Sequence, residues 1–230
     1  SHIMNRREFG IFSIAAIGCA AGSGVLINKF YEPKLHLRPP GSVKNFESLC
    51  IKCGQCVQVC PYHSIELLGL DDGINLASAY INPSKRGCYL CDLFPCVLAC
   101  PSGALDHSIN SIKDVKMGVA VVRDIQKCYA TLNKNVSQDD ISILLNRQTY
   151  NQRESDAKKI IEDNIDKSCS LCVNSCPVDE AISFIQLNEK KVVKIESNCV
   201  GCGVCQEVCF AGVIEILPQK SYSEIYEESK

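Results

Sequence analysis

The spacing of the cysteines constrains this chain more than any other feature. Seventeen cysteines are present among 230 residues, and most of them recur in tight groups with two, three or four residues between neighbours. Loops with such gaps curl so that successive thiolates face one metal cluster, and a cysteine followed by proline is a common end of such a loop. The spacing therefore predicts iron–sulfur clusters as the framework of the fold.

Four groups of cysteines can be defined. Group one is Cys50, Cys53, Cys56 and Cys60; group two is Cys88, Cys91, Cys96 and Cys100; group four is Cys199, Cys202, Cys205 and Cys209; and group three shows only Cys169, Cys172 and Cys176. A four-iron cluster takes four thiolates, so group three needs one earlier cysteine.

Cys128 is predicted to be that missing cysteine. An apolar run at residues 119–122 and an acidic residue precede it, and a similar run at residues 192–195, again with an acidic residue, precedes Cys199. Both approaches read as a strand that leads into the first ligand of a group. Cys128 therefore opens group three, and residues 129–168 are an insertion between its first and second ligands.

With Cys128 included, sixteen cysteines form four groups of four and are predicted to hold four [4Fe–4S] clusters. Zinc ribbons use paired C-x2-C motifs and do not need the final cysteine–proline step of groups one to three. A disulfide framework would not need this regular spacing. The cysteine left over is Cys19, which lies in the apolar N-terminal stretch.

The last cysteine of each group is predicted to bind a different cluster from the other three. A helical turn begins after the third cysteine, so the fourth projects from it toward a neighbouring cluster, and groups must work in pairs. Short closing strands are predicted after the groups, at residues 65–68, 104–105, 181–185 and 214–217. The expected fold class is α+β: two bacterial-type two-cluster ferredoxin units of short strands and short helices, with a helical insertion.

The insertion at residues 129–168 carries helix signals of its own. Residues 137–140 can cap a helix that continues through the apolar residues 141–145. A second helix can present four apolar side chains on one face: Ala157, Ile160, Ile161 and Ile165. We expect a helical hairpin lying on the ferredoxin core. A tolerated surface addition is the simpler role for it, and a partner contact is the alternative.

The N-terminus has the features of an export signal. Residues 1–3 precede the first methionine and are interpreted as a cloning remnant. Residues 4–27 contain Arg6 and Arg7 ahead of an uncharged apolar run, which is similar to a twin-arginine signal. We expect export of the folded protein to the periplasm, because clusters must be assembled where thiols stay reduced. Residues 28–230 then form the four-cluster domain.

Cleavage of this signal is left open by the sequence. The uncharged run is 19 residues long, just enough to span a bilayer, so an uncleaved signal would tether the protein to the membrane. Cys19 follows Ala16, Ile17 and Gly18, which faintly resembles a lipoprotein box. A small apolar residue within a signal is the preferred interpretation of Cys19.

Composition and motifs exclude several functions. The formal net charge of −2 shows no excess of basic residues of the kind that binds nucleic acid. The sequence has no C-x-x-C-H haem motif, no phosphate-cradling loop and no Rossmann fingerprint. His63 and His107 follow cysteine groups, but exposed loop histidines are favoured over a proton relay. We therefore expect an electron-transfer subunit of an oxidoreductase system, not an enzyme in itself.

Two stretches carry a resemblance to a known family. Residues 50–62 read CIKCGQCVQVCPY, and residues 88–105 read CYLCDLFPCVLACPSGAL. With the twin-arginine start, they resemble the NapG/MauM family of periplasmic ferredoxin-type subunits. Within the family, the resemblance points to the NapG branch, the quinol dehydrogenase component of the periplasmic nitrate reductase system.

The resemblance implies both a cofactor content and partners. It implies four [4Fe–4S] clusters, a membrane-bound NapH-type quinol-oxidising ferredoxin as donor, and a periplasmic cytochrome or nitrate reductase as acceptor. The electron-transfer subunit of another exported oxidoreductase, a molybdoenzyme or a methylamine-type dehydrogenase, is the alternative. A structural or maturation protein whose clusters are not redox-active is a third hypothesis.

The spacing alone leaves two ways to pair the groups. Sequential pairing joins group one with two and three with four, whereas nested pairing joins one with four and two with three. The strand-rich connection at residues 112–127 favours a compact unit of groups two and three, and the resemblance to four-cluster electron-transfer subunits implies the same nesting. The expected ligand sets are Cys50, Cys53, Cys56 with Cys209; Cys199, Cys202, Cys205 with Cys60; Cys88, Cys91, Cys96 with Cys176; and Cys128, Cys169, Cys172 with Cys100.

Overall fold

The computed structural model describes residues 34–227. The predicted signal at residues 4–27 and Cys19 lie outside this range. Within it, no helix is both long and apolar enough to cross a membrane.

Short helices and short strands alternate along the described chain, which confirms the α+β class. The helices are α1 (Phe46–Leu49), α2 (Gln55–Gln58), α3 (Pro95–Leu98), α4 (Ser142–Leu145), α5 (Gln152–Glu162), α6 (Leu171–Asn174), α7 (Val204–Val208) and α8 (Tyr222–Tyr226). The strands are β1 (Ile65–Leu67), β2 (Ala79–Ile81), β3 (Gly118–Val122), β4 (Ile182–Leu187), β5 (Lys190–Ile195) and β6 (Ile214–Pro218). Single 3-10 turns occupy Leu70–Asn75, Ile112–Asp114 and Ile125–Lys127.

Residues 41–106 form the N-terminal half of the fold. Strands β1 and β2 pair antiparallel between cysteine groups one and two. The segment ahead of group one bonds to the segment after group two, since the Val43 N–H donates to the Ala104 carbonyl at 3.1 Å and the Asp106 N–H donates to the Gly41 carbonyl at 2.8 Å. These bonds bring the beginning and the end of the half together.

Residues 118–218 form the C-terminal half and repeat this plan. Strand β3, ahead of group three, pairs antiparallel with β6, which follows group four; Gly118 lies opposite Pro218 and Val122 lies opposite Ile214. Strands β4 and β5 form a hairpin between groups three and four. Valine and isoleucine dominate these strands because branched side chains pack well on a pleated, half-buried surface.

Both halves therefore share one order: a closing segment, a cysteine group, an antiparallel strand pair, a second cysteine group and a second closing segment. The closing segments are strands, β3 and β6, only in the C-terminal half. The predicted strands at 65–68, 181–185 and 214–217 are confirmed with small shifts of their ends. The predicted strand at 104–105 is reduced to an isolated bridge between Ser42 and Leu105.

One hydrophobic core runs through both halves. Every described cysteine except Cys53 and Cys91 belongs to it or packs against it. Leu105 and Ile81 in the N-terminal half and Val204 in the C-terminal half are almost fully buried there. The apolar side chains thus surround the cysteines instead of filling a separate centre.

The insertion contains the two predicted helices. Ser137 and Asp140 exchange backbone and side-chain hydrogen bonds as a cap would, but α4 begins later, at Ser142. Helix α5 buries Ala157 and Ile161 of the predicted apolar face. The other two predicted members differ, because Ile160 is exposed and Ile165 lies beyond the end of the helix, where it is partly buried.

A second apolar core joins the insertion to the C-terminal half. Its buried members are Val136, Ile141, Leu144, Ile161, Leu171 and Val208. Leu171 directly precedes Cys172, and Val208 directly precedes Cys209. The insertion therefore packs behind two cysteine loops, and we revise the expectation that it is a dispensable surface addition.

Two adjacent residues of the insertion provide a matched test of this packing. Replacing Leu144, which is 5% exposed, with alanine should lower the free energy of unfolding by about 2–5 kcal/mol, because a buried side chain is lost and a cavity is left. Replacing Ile143, which is 80% exposed, should change it by no more than about 0.5 kcal/mol. Anaerobic denaturant titration measures both. Equal effects would show that the insertion is not packed on the C-terminal half.

Candidate iron–sulfur centres

The sixteen described cysteines converge in four sets of four. Each of the first three sets lines one pocket: set one is Cys50, Cys53, Cys56 and Cys100; set two is Cys60, Cys88, Cys91 and Cys96; and set three is Cys128, Cys169, Cys172 and Cys209. Set four comprises Cys176, Cys199, Cys202 and Cys205, which interact electrostatically with one another.

The nested pairing predicted from the sequence is wrong. Cys60 lies with the first three cysteines of group two, and Cys100 lies with those of group one. Likewise, Cys209 completes set three, and Cys176 completes set four. Pairing is sequential because the strand at 118–122 closes against the strand after group four, and not against a strand near group two.

The exchange of fourth cysteines within each half follows the predicted geometry. Each of these four cysteines lies beyond a short helix of its own group, and its thiol lies with the three thiols of the partner group. Helix α2, for example, ends at Gln58 and Cys60 then faces set two. Neither group in a half can complete a four-thiol site alone.

Backbone N–H groups point at the thiols that close these sets. The Ser64 N–H donates to Cys60 Sγ at 3.3 Å, and the Val213 N–H donates to Cys209 Sγ at 3.3 Å, with the same four-residue separation. Burial alone would raise the pKa of Cys100, but N–H donors at Ser102 and in the turn after it bring that pKa below its ordinary value. Donors in these positions favour thiolates, which are the form that binds iron.

At several other thiols, burial outweighs the backbone N–H donors that lower the pKa. Burial, with smaller contributions from neighbouring cysteines, raises the pKa of Cys56 and Cys91 to about 11 and that of Cys96 to about 12. Without iron these groups would hold their protons, so cluster binding must displace them. The thiol-lined cavities, with N–H donors at their edges, fit [4Fe–4S] clusters.

The alternative uses of the cysteines find no support in the geometry. All sixteen are free thiols. Between residues 34 and 227, no three His, Cys, Asp or Glu side chains are arranged to hold a single metal ion. Thiols that surround a wider space suit a cubane cluster better than one zinc ion.

Aromatic pairs cover two of the sets. Tyr62 and Tyr89 stack with ring centroids 4.5 Å apart, and both line the cavity of set two. Tyr129 and Phe210 meet edge to face at 4.7 Å in the cavity of set three. Phe210 occupies the position at which groups one to three carry proline, and it supplies a packing partner for Tyr129 that the cysteine spacing does not predict.

The two halves meet at the cysteines of sets two and four. The Cys88 N–H donates to the Cys202 carbonyl at 2.8 Å. Gly87 is required beside this bond, because a Cβ on it would lie 2.4 Å from the backbone nitrogen of Val204. This close approach of two cysteine loops is called the junction below.

Buried charges at the junction were not predicted from the sequence. Glu154 and Glu207 have side chains that are only 1% exposed. His63 is exposed, as predicted for a loop histidine, and also pairs with Glu154 at 2.9 Å. His107 is exposed as well and contacts the Cys100 carbonyl. Only contacts between distant segments reveal this cluster.

Each half brings two cysteine groups together into two sets of four thiols, which is the arrangement of a dicluster ferredoxin. The chain contains two such halves. The 4Fe-4S dicluster domain family matches residues 49–104 and 167–213. The ferredoxin-type protein NapG of Escherichia coli K12 is 32% identical over 218 residues, which covers 89% of this chain and 79% of that protein. The chain belongs to the NapG/MauM family of ferredoxin-type proteins.

Other relatives agree with this assignment. The methylamine utilization ferredoxin-type protein MauM of Paracoccus denitrificans is 33% identical over 193 residues, covering 80% of this chain and 71% of that protein. MauM of Methylorubrum extorquens is 28% identical over 231 residues, covering 94% and 90%. No solved structure matches the chain. The protein is an electron-transfer iron–sulfur protein with four [4Fe–4S] clusters, and the sixteen cysteines stay its predicted ligands.

Cysteine variants test both the ligands and their pairing. Replacing Cys128 with alanine should lower iron content by up to one cluster or convert one cluster to a three-iron form, because set three loses a thiolate. Cys209→Ala should change the same component of the reduced-state paramagnetic spectrum, and Cys60→Ala a different one. The matched control is Cys19→Ala, which lies outside all four groups.

Unchanged iron content and an unchanged spectrum in Cys128→Ala would show that Cys128 is not a ligand. A spectral change shared by Cys209→Ala and Cys53→Ala would instead restore the nested pairing.

Proposed function

We propose that this protein relays electrons from a membrane-bound quinol-oxidising partner of the NapH type to a periplasmic acceptor, a cytochrome or nitrate reductase. Bound [4Fe–4S] clusters supply one-electron redox chemistry. The observation that carries the proposal is the junction, where the Cys88 and Cys202 loops join the two halves into one core. A relay needs all of its redox sites in such a continuous arrangement.

The edge of set one offers a surface for electron exchange. Among the described cysteines, Cys53 alone is exposed. Three apolar side chains near it are also exposed: Ile51 at 63%, Leu70 at 85% and Ile74 at 89%. The Lys52 amine donates to the Ile74 carbonyl at 3.2 Å, which holds the turn that carries Leu70 and Ile74 beside this loop.

The membrane partner is the occupant we propose for this surface. The His36 side chain lies 2.9 Å from Asp72 in the same turn, so the chain enters the described fold beside the apolar residues. Apolar patches of this kind mark contact sites with partners.

A double variant tests this contact. Leu70→Ser with Ile74→Ser should reduce the second-order rate of reduction by the membrane partner about tenfold, which corresponds to the loss of about 1.4 kcal/mol of binding. Iron content should not change, because neither side chain is part of a thiol set. The control is Ile143→Ser, an equally exposed residue in the insertion. An unchanged rate in the double variant would place the donor elsewhere.

A second candidate system is methylamine oxidation. It is favoured by the similarity to MauM, which is as high as the similarity to NapG. Reconstitution of the reduced protein with each acceptor system separates the two: the physiological acceptor reoxidises it at a catalytic rate, and the other does not.

The proposed localisation is the periplasm, after twin-arginine export of the folded protein. This proposal is supported by residues 4–27, in which Arg6 and Arg7 precede an apolar run, as in a twin-arginine signal. Replacing both arginines with lysine should retain the cluster-loaded protein in the cytoplasm. Fractionation of cells measures this, and periplasmic protein at the unchanged level would contradict the proposal.

A redox titration of the full chain tests the relay against a scaffolding role. All four clusters should be reduced and reoxidised reversibly, and at least one should be reduced by the quinol-oxidising partner. Clusters that stay oxidised with that donor would favour the structural or maturation role.

A further inference from the structure

Gly87 is held on both sides at the junction. Its N–H donates to a carboxylate oxygen of Glu207 at 2.6 Å, and its carbonyl accepts from the Ser64 hydroxyl at 2.6 Å. Gly87 directly precedes Cys88, whose N–H makes the bond to Cys202. Glu207, from the C-terminal half, therefore fixes the peptide that leads into a predicted ligand of the N-terminal half.

The same carboxylate is held by the insertion. Arg147, in the segment between α4 and α5, donates to the other oxygen of Glu207. The Arg86 guanidinium lies 3.9 Å from Glu207 and 3.9 Å from Glu154. Arg86 and Arg147 are largely buried, with 18% and 20% of their side chains exposed, so each needs a carboxylate partner.

Glu154 completes the arrangement from α5. It accepts hydrogen bonds from His63 at 2.9 Å and from the Tyr150 N–H at 2.7 Å. Beside it, the Asn151 amide donates to the Pro61 carbonyl at 2.7 Å. Pro61 and His63 follow Cys60, so the insertion holds the segment after a ligand of set two.

Two carboxylates and two guanidiniums thus meet among three segments of the chain. Glu207 belongs to the C-terminal half, Arg86 to the N-terminal half, and Arg147 and Glu154 to the insertion. Their formal charges cancel, which permits burial that none of them could support alone. We call Arg86, Arg147, Glu154 and Glu207 the junction clamp.

We propose that the junction clamp positions the Cys88 loop against the Cys202 loop, and that Glu207 is the residue through which it acts. The insertion then has a function in electron transfer, because Arg147 and Glu154 are two of the four residues that fix the distance between the N-terminal and C-terminal halves at the junction. The proposal rests on electron transfer through both halves, but not on the identity of donor or acceptor.

The alternative is that the clamp only stabilises the fold. A positioning role and a stabilising role differ in what the conservative variant restores. Glutamine at 207 keeps an amide oxygen that accepts the Gly87 N–H, whereas alanine removes the acceptor. A positioning role therefore predicts that Glu207→Gln, although it lacks the charge that balances the two arginines, retains more of the native junction geometry than Glu207→Ala does.

The experiment uses the full, cluster-loaded chain and two readouts of the junction. The first is hydrogen exchange of the peptide that contains the Cys88 amide, measured by mass spectrometry. The second is the magnetic interaction between reduced clusters of the two halves, seen as splitting in the paramagnetic spectrum. The control is Glu215→Ala, which removes an exposed carboxylate paired with Arg123 in the same half.

We expect Glu207→Ala to speed exchange at Cys88 at least tenfold and to weaken the magnetic interaction, with iron content unchanged. Glu207→Gln keeps the acceptor for the Gly87 N–H but loses the charge that balances Arg86 and Arg147, so its readouts should lie between those of the native protein and Glu207→Ala. Glu215→Ala should leave both readouts near native values. Native readouts in a fully loaded Glu207→Ala protein would overturn the proposal. So would an equal loss in the glutamine and alanine variants, since the hydrogen bond to Gly87 would then not be the cause.

If Glu207→Ala does not assemble, Arg147→Met decides the matter. It removes the support that the insertion gives to Glu207 and leaves the acceptor for Gly87 in place. Faster exchange at Cys88 than in the Glu215→Ala control supports the clamp, and exchange equal to the control rejects it. Both readouts are independent of the donor, so a wrong partner assignment would not alter them.

Discussion

The structure depends on one constraint: a cysteine group presents three thiols to one cavity and its fourth to another. A cluster with four thiolate ligands can then be completed only by two groups together. In each half, backbone hydrogen bonds join the segment before the first group to the segment after the second, and this brings the two groups together. Folding and cluster binding are therefore coupled, and the apolar core forms around the cysteines.

The same constraint explains why the halves need additional contacts. No ligand is shared between them, so the thiol sets do not bind one half to the other. Backbone packing at Gly87 and the buried charges around Arg86 provide this connection, and the insertion contributes to it from outside both repeats. The insertion, which separates Cys128 from Cys169 in the sequence, thus contacts the cysteine loops of both halves.

The repeated local signals could be predicted from the sequence. Cysteine spacing identified the groups, and the matching strand ahead of Cys199 led to Cys128 across the whole insertion, where the structure places it with Cys169, Cys172 and Cys209. The predicted nested pairing of the groups is wrong because, in the sequence, residues 112–127 look like a link between groups two and three. The strand at 118–122 instead pairs with the strand at 214–218, which is distant in sequence. Glu154 and Glu207 could not be found, because burial of a carboxylate is decided by arginines from other segments.

The central claim is that four clusters lie in two sequentially paired halves that meet at Cys88 and Cys202. Diffraction from crystals of the loaded protein at the iron absorption edge tests it most directly. The account predicts four iron peaks, with Cys60 at the peak of Cys88, Cys91 and Cys96, and with Cys209 at the peak of Cys128, Cys169 and Cys172. Fewer than four peaks, or Cys60 at the peak of Cys199, Cys202 and Cys205, would contradict it.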